Sequence, residues 1–253
     1  MYEEGKRGYN KMRFEKVKIK ITDRCDRSCR FCVFNNQSID LSLEQFKKML
    51  HVIKPLDFGK LHINGGEPLL NPTFKEMILY AREVFPDKIF VLGSNLVRLE
   101  RRKDLIVFIR DYFQEICIGC DLEHRNIDIV EKVVPILCKN KNMTIVLNSI
   151  IEYTDEAFKA RVEELHKRWN VICVKNHIYH TKSGKPIHSL SKGLCANQNK
   201  VLMIQENGDY YRCFNCAIPD DKEGNIFGSD FSDNICRPRT THFSFCPWCK
   251  GYE

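Results

Sequence analysis

The sequence predicts an α/β protein: a partial (β/α)6 barrel followed by a small C-terminal cysteine-rich domain of β-hairpin and helix. Two observations carry that expectation. First, β-branched runs alternate six times with helical segments between Lys16 and Lys175, and successive parallel strands need such crossovers. Six units fall short of the eight that close a barrel, so an open, curved sheet is expected, with a flat doubly wound sheet as the alternative. Second, the alternation stops near Asn176, and six of the 13 cysteines lie beyond it. The expected division is a basic arm over 1–15, a barrel over 16–179 and a cysteine-rich domain over 180–253.

The elements follow from local signals. Lys16 to Thr22 alternates charged with β-branched residues, the period of a strand with one buried face. Ser42 and Gln45 form a capping box at the head of a helix over 43–53, and Pro55 ends it. Lys60 to Asn64 is a short strand running into Gly65-Gly66-Glu67-Pro68. Asn71 and Pro72 then start a helix reaching about Phe85. Strands at 88–92, 115–120, 144–151 and 171–175 alternate with helices at 99–112, 127–140 and 154–169. Val201 to Gln205 and Tyr210 to Cys213 flank Asn207-Gly208, a hairpin signal.

Composition narrows the class. The chain has 253 residues, 43% of them hydrophobic, enough for a sizeable core without staples. Met1 to Lys20 holds no apolar signal core, and no run approaches a bilayer span, so a cytoplasmic protein with no membrane partner is expected. Cysteines at short spacings in such a chain point to metal before disulfides. The net charge is +7. Its excess over residues 6–20 reads as a solvated basic arm, with phosphate, nucleic acid or an acidic redox protein as the alternative partners.

Cys25-x3-Cys29-x2-Cys32 lies on a loop directly after the first strand. Three thiolates can hold a cubic iron–sulfur cluster and leave one iron for an outside ligand; a zinc knuckle would need a fourth ligand nearby. With Phe31 before the last cysteine, and Gly65-Gly66-Glu67-Pro68 ending the second strand, the chain resembles the radical S-adenosylmethionine (SAM) superfamily over about 16–178. The resemblance implies a 4Fe-4S cluster on Cys25, Cys29 and Cys32 whose open iron chelates SAM. It implies that Gly65, Gly66, Glu67 and Pro68 approach the methionine amine. Gly93-Ser94-Asn95 stands where Thr-Asn-Gly is usual, giving Ser94 and Asn95 as SAM contacts, and Asn148 is a further candidate. The implied product is a 5′-deoxyadenosyl radical that takes a hydrogen atom from substrate, and the implied electron donor is a flavodoxin- or ferredoxin-type protein.

Cys195-x12-Gly208-x4-Cys213 and Cys246-Pro247-Trp248-Cys249, with Gly224-Asn225-Ile226 after the hairpin, resemble a twitch domain, the short relative of SPASM domains. That implies a second, auxiliary 4Fe-4S cluster on Cys195, Cys213, Cys246 and Cys249. Cys216 and Cys236 depart from the pattern, Cys216 is an alternative ligand, and a four-cysteine zinc site fits the same spacings.

Three further residues are catalytic candidates. Cys120, at the end of the fourth strand, is a thiol able to return a hydrogen atom. Lys175 and His177, after the sixth, are bases or orienting groups. His124 and His180 also follow strand ends. Cys117, Cys138 and Cys173 read as packed hydrophobes. The favoured reaction is a two-electron oxidation of a small polyol, aminosugar or peptide; epimerisation or peptide maturation is the alternative. A non-catalytic iron–sulfur or zinc protein is the reading of another class.

Overall fold

The computed structural model describes residues 13–32, 38–176, 193, 194, 200–211, 222–231, 235, 240 and 241. Six strands, β1 (Arg13–Lys20), β2 (Asp57–Asn64), β3 (Ile89–Ser94), β4 (Glu115–Gly119), β5 (Thr144–Ile150) and β6 (Ile172–Asn176), pair in chain order, every neighbour parallel. Five helices fill the crossovers: α1 (Leu43–Ile53), α2 (Phe74–Val84), α3 (Lys103–Tyr112), α4 (Ile127–Leu137) and α5 (Glu156–Trp169).

The capping box forms as expected: Ser42 Oγ accepts from the Gln45 N–H at 3.2 Å, and Gln45 Oε1 accepts from the Ser42 N–H at 3.3 Å. Two helix starts differ from expectation. α5 is capped by Asp155, whose carboxylate accepts from the Phe158 N–H at 2.7 Å. Ahead of α2, Pro68–Leu70 forms a 3-10 turn. Asn71 holds that turn to the sheet by donating to the Ile21 and Leu41 carbonyls at 2.8 and 3.1 Å.

Beyond the barrel strands come β7 (Gly193–Leu194), β8 (Val201–Ile204), β9 (Asp209–Tyr211), β10 (Gly224–Asn225) and β11 (Thr240–Thr241). β7 and β11 pair with each other. The hairpin of β8 and β9 does not stand apart: β8 pairs in parallel with β1, so the sheet runs β10-β9-β8-β1-β2-β3-β4-β5-β6. A buried ion pair, Lys20 Nζ to Glu206 at 3.1 Å, fastens the hairpin to the first strand. Gly208 in its turn has φ +89°, a conformation that suits glycine.

Register divides the sheet into two faces. Val17, Leu61, Phe90 and Ile19, Ile63, Leu92 form cross-strand rows and join one core with the helices. The residues between them turn the other way: Lys16, Lys18 and Lys20 on β1, Lys60, His62 and Asn64 on β2, Val91 and Gly93 on β3, Glu115, Cys117 and Gly119 on β4, and Asn148 on β5. This is the inner face of the partial barrel, on the side away from the helices.

Candidate active site at the carboxyl ends of the strands

The stem of the cysteine loop is held on three sides. Thr22 Oγ1 donates to Asp40 Oδ1 at 2.6 Å, and the Arg24 guanidinium pairs with Asp40 at 2.9 Å and also reaches the Leu70 carbonyl. Asp23, buried, accepts from the Ile39 N–H at 2.6 Å. The third side is the Gly65-Gly66 segment. Gly66 N–H donates to the Thr22 carbonyl at 2.9 Å and Glu67 N–H to the Arg24 carbonyl at 2.7 Å. A Cβ on Gly65 would lie 2.6 Å from Thr22 O, and one on Gly66 2.4 Å from Arg24 O. The pair of glycines is therefore required by the approach of two backbones, one of them the cysteine loop itself.

Glu67 is fully buried and turned into the protein. Its carboxylate accepts from the Leu69 N–H (3.1 Å), from Ser94 Oγ (2.9 and 3.0 Å) and from the Asn95 N–H (2.7 Å). Burial pushes it up to about 7, against the pull of those donors. It is the post that fixes the end of β2 to the end of β3. Pro68 begins the 3-10 turn beside it.

The turn after β3 reaches the cysteines. Asn95 Nδ2 donates to Asp26 Oδ1 at 2.8 Å and approaches Cys25 Sγ at 3.8 Å. Asn95 Oδ1 accepts from the Val97 N–H at 2.8 Å. The residue with left-handed backbone is Leu96, at φ 62°. The tripeptide whose conformation suits Thr-Asn-Gly is thus Ser94-Asn95-Leu96, one residue on from Gly93-Ser94-Asn95. Asn126, fully buried and not singled out in the sequence, donates to the carbonyls of Asn95 (2.6 Å) and Gly119 (2.7 Å) and ties the ends of β3 and β4 together.

The far side of the cysteine loop rests on the loop after β4. The Arg30 guanidinium meets Glu123 at 2.7 and 2.9 Å, while its N–H donates to Glu123 at 3.0 Å. The Phe31 ring lies 5.5 Å from both His124 and Tyr153. Asp121, buried, accepts from His124 Nδ1 at 2.8 Å and from the Glu123 and His124 N–H groups at 3.0 Å. With Nδ1 as the donor, Nε2 is left as the acceptor nitrogen. That nitrogen lies 2.6 Å from where a Cβ on Gly119 would be, on the inner face. An Asp-x2-His spacing after a strand end was the available signal for this pair.

The loop's chemistry fits an iron–sulfur cluster. Burial pushes the Cys25 thiol up to about 11 and the Cys29 thiol up to about 12, nearby carboxylates and the other cysteines adding to the rise. Metal binding displaces those protons, since thiolate is the ligand form. Among the described residues, no group of three His, Cys, Asp or Glu side chains gathers around a single-ion site. The fit therefore rests on three soft thiols on one anchored loop.

The remaining candidates divide. Asn148 is on the inner face, opposite Gly119. Cys120 is not: its side chain is fully buried in the apolar core, and burial pushes its thiol up to about 12. One-residue alternation turns it away from the interior that Gly119 faces. The inner-face thiol is Cys117, two residues earlier and half-buried. Lys175 is exposed on the edge strand beside Glu163 of α5, and the inner-face residue there is Val174, opposite Asn148. His177, His180, Cys195, Cys213, Cys216, Cys236, Cys246 and Cys249 lie outside the described residues. Among the described residues, no helix is long and apolar enough to cross a membrane.

The fold is similar to several solved structures. BtrN in complex with AdoMet and 2-DOIA superposes with a TM-score of 0.56 at 16% identity, covering 88% of this chain and 82% of that one. anSMEcpe with bound AdoMet and the Cp18Cys peptide gives 0.61 at 14%, covering 87% and 79%. Streptococcus suis SuiB bound to its precursor peptide SuiA gives 0.60 at 12%, covering 88% and 65%. Among curated proteins, GTP 3′,8-cyclase of Synechocystis sp. is 27% identical over 99 residues, 37% of this chain and 30% of the cyclase. The subtilosin biosynthesis protein AlbA of Bacillus subtilis is 30% identical over 116 residues, 44% of this chain and 25% of AlbA. The chain spans less than half the length of these curated relatives. The Radical SAM superfamily profile matches residues 19–182, well over half of the sequence, and the chain belongs to that superfamily.

Proposed function

We propose that Cys25, Cys29 and Cys32 hold a SAM-binding 4Fe-4S cluster and that the enzyme oxidises its substrate by two electrons. When bound, the cluster supplies the electron that cleaves SAM to a 5′-deoxyadenosyl radical. The observation that carries the reading is the meeting of three motif segments. The Gly65-Gly66 backbone is bonded to Thr22–Arg24, and the Asn95 amide stands between Asp26 and Cys25. Glu67 and Asn126 keep the Ser94-Asn95 turn in place beside the cysteine loop.

Oxidation needs a hydrogen atom, an electron and a proton to leave one substrate carbon or its heteroatom. SAM, when bound, would supply the acceptor of the hydrogen atom. Cys195, Cys213, Cys246 and Cys249 would hold an auxiliary cluster, which would supply an acceptor for the electron. His124 is the base among the described residues that best suits the proton: Asp121 fixes its tautomer, and its free nitrogen lies over Gly119 beside the cysteine loop. A flavodoxin- or ferredoxin-type protein would provide the reducing electron. The similarity to BtrN with AdoMet and 2-DOIA supports a small polar substrate, and that to SuiB with SuiA supports a peptide.

Anaerobic reconstitution followed by SAM and dithionite tests the first part. The wild type is expected to release 5′-deoxyadenosine, and the Cys25→Ala, Cys29→Ala, Cys32→Ala triple variant none. Iron should fall by about half in that variant if a second four-iron cluster is present. SAM cleavage retained by the triple variant would remove the cluster from this loop.

A further inference from the structure

Every polar group of Asn95 has a partner in the protein. Its backbone N–H donates to the Glu67 carboxylate at 2.7 Å, and its carbonyl accepts from Asn126 Nδ2 at 2.6 Å. In the side chain, Oδ1 accepts from the Val97 N–H at 2.8 Å. That bond fixes which end of the amide is oxygen. Nδ2 therefore turns its two hydrogens toward the cysteine loop. One goes to Asp26 Oδ1 at 2.8 Å, and the other is directed at Cys25 Sγ, 3.8 Å away. The residue is only 5% exposed, so the arrangement is built in and not left to solvent.

A second N–H meets the same sulfur. The Arg27 N–H donates to Cys25 Sγ at 3.4 Å. The two donors differ in origin: Arg27 is two residues along the same loop, whereas Asn95 comes from the end of β3, 70 residues away in sequence. The carboxylates of Glu67 and Asp26 disfavour negative charge on that sulfur, and the two N–H groups favour it. An N–H directed at sulfur binds more strongly as the sulfur becomes more negative. Hydrogen bonds to sulfur are among the features that set the reduction potential of an iron–sulfur site. Reduction adds one negative charge behind the thiolates, so a donor at Cys25 favours the reduced state.

We propose that Asn95 is a potential-setting residue: its side-chain N–H, aimed at Cys25 Sγ, raises the reduction potential of the cluster that Cys25, Cys29 and Cys32 would hold. One electron from a flavodoxin- or ferredoxin-type donor is then accepted more readily. Both hydrogens of Nδ2 are engaged by Asp26 and Cys25, so the amide nitrogen acts through the thiolate and not by contact with SAM. This rests on the proposed cluster on the cysteine loop, and not on SAM cleavage or on the reaction that follows it.

The test is an anaerobic redox titration of the reconstituted holoenzyme without SAM, read by electron paramagnetic resonance. The signal followed is the one absent from the Cys25→Ala, Cys29→Ala, Cys32→Ala triple variant, which separates it from any second cluster. Asn95→Ala should make its midpoint more negative and change the oxidised-to-reduced ratio at a fixed potential by about tenfold, the scale of one hydrogen bond and equal to ~59 mV for one electron. Asn95→Asp keeps an acceptor for the Val97 N–H but brings no donor, and should shift the midpoint at least as far in the same direction. Both variants should hold as much iron as wild type. A midpoint unchanged at full iron overturns the proposal, as does a shift that appears only once SAM is added, which would make Asn95 a SAM contact. Should the variants lose the cluster, wild type alone decides: with nitrogen-15 in the asparagine side-chain amides, the reduced signal should show a nitrogen-15 coupling without SAM, and its absence overturns the proposal. A signal that depends on the three cysteines but ignores Asn95 removes this inference alone. No cysteine-dependent signal in wild type removes the cluster reading, and this inference with it.

Discussion

On β1, Val17 and Ile19 have no exposed surface and lie in the core shared with the helices, while Lys16, Lys18 and Lys20, their neighbours in sequence, face the barrel interior. The same split runs through β4, where Ile116 and Ile118 are core and Glu115, Cys117 and Gly119 are not. One face is apolar because it must exclude water to hold the fold. The other keeps ammonium groups, the His62 imidazole and two glycines that make room for other groups. Stability and chemistry are thus divided by the two-residue period of the strand, and neither side chain set can be moved by one residue without exchanging the roles.

The largest expected effect tests that division by stability. Ile19→Ala removes a fully buried side chain from the helix-covered face and should cost about 2–5 kcal/mol in urea unfolding. Lys18→Met, its neighbour on the inner face, should change stability by less than about 1 kcal/mol. Comparable losses in the two variants would mean that the inner face is a second structural core.

Glu67 sits where the faces meet and should reveal itself by pH. Its folded value, about 7, lies above its ordinary value of 4.5. Such a group adds stability that is fully present below 4.5 and is lost as pH rises through 7. The loss approaches about 3 kcal/mol at full ionisation. Other carboxylates titrate over the same range, so the measurement is the difference between wild type and Glu67→Gln in urea midpoints at pH 5, 6, 7 and 8. That difference should change steadily with pH in favour of Glu67→Gln. A difference flat across the range would show that the donors from Asn95, Leu69 and Ser94 outweigh burial.

The sequence carried the element order, the capping box and the cysteine loop, because each depends on neighbours a few residues away. Lys16 to Ile21 also announced its alternation. What it could not announce was which side became an interior, since a single strand distinguishes only polar from apolar, and a lysine row ordinarily means solvent. Only five further strands in register, curved, turn that row inward. Cys120 illustrates the same limit. Its position at a strand end was legible, but its side of the sheet depended on a parity fixed by the pairing of its neighbour Gly119 with Asn148 on β5. The hairpin after Lys200 was legible as a hairpin, whereas its attachment to β1, with Glu206 reaching Lys20, is a contact across 186 residues. Asn126 gave no local sign of the two carbonyls it joins.

The smallest effect concerns the two thiols of β4, and it separates reaction types as well as faces. Cys120→Ser places a hydroxyl in an apolar core and should cost about 1–3 kcal/mol. Cys117→Ser, half-buried beside Glu115 and the lysines, should cost within about 0.5 kcal/mol. If the substrate radical is oxidised, turnover in deuterated water leaves no solvent deuterium at the abstracted carbon of product, and Cys117→Ser turns over like wild type. If the radical instead regains a hydrogen atom, deuterium appears at that carbon with no change in oxidation level. Among the described thiols of β4 and its end, the donor would be one that exchanges with solvent and faces the interior, which Cys117 does and Cys120 does not. Deuterium incorporation abolished by Cys117→Ser but kept by Cys120→Ser would replace oxidation with epimerisation and leave the division of faces intact. Incorporation lost only in Cys120→Ser would break the division itself.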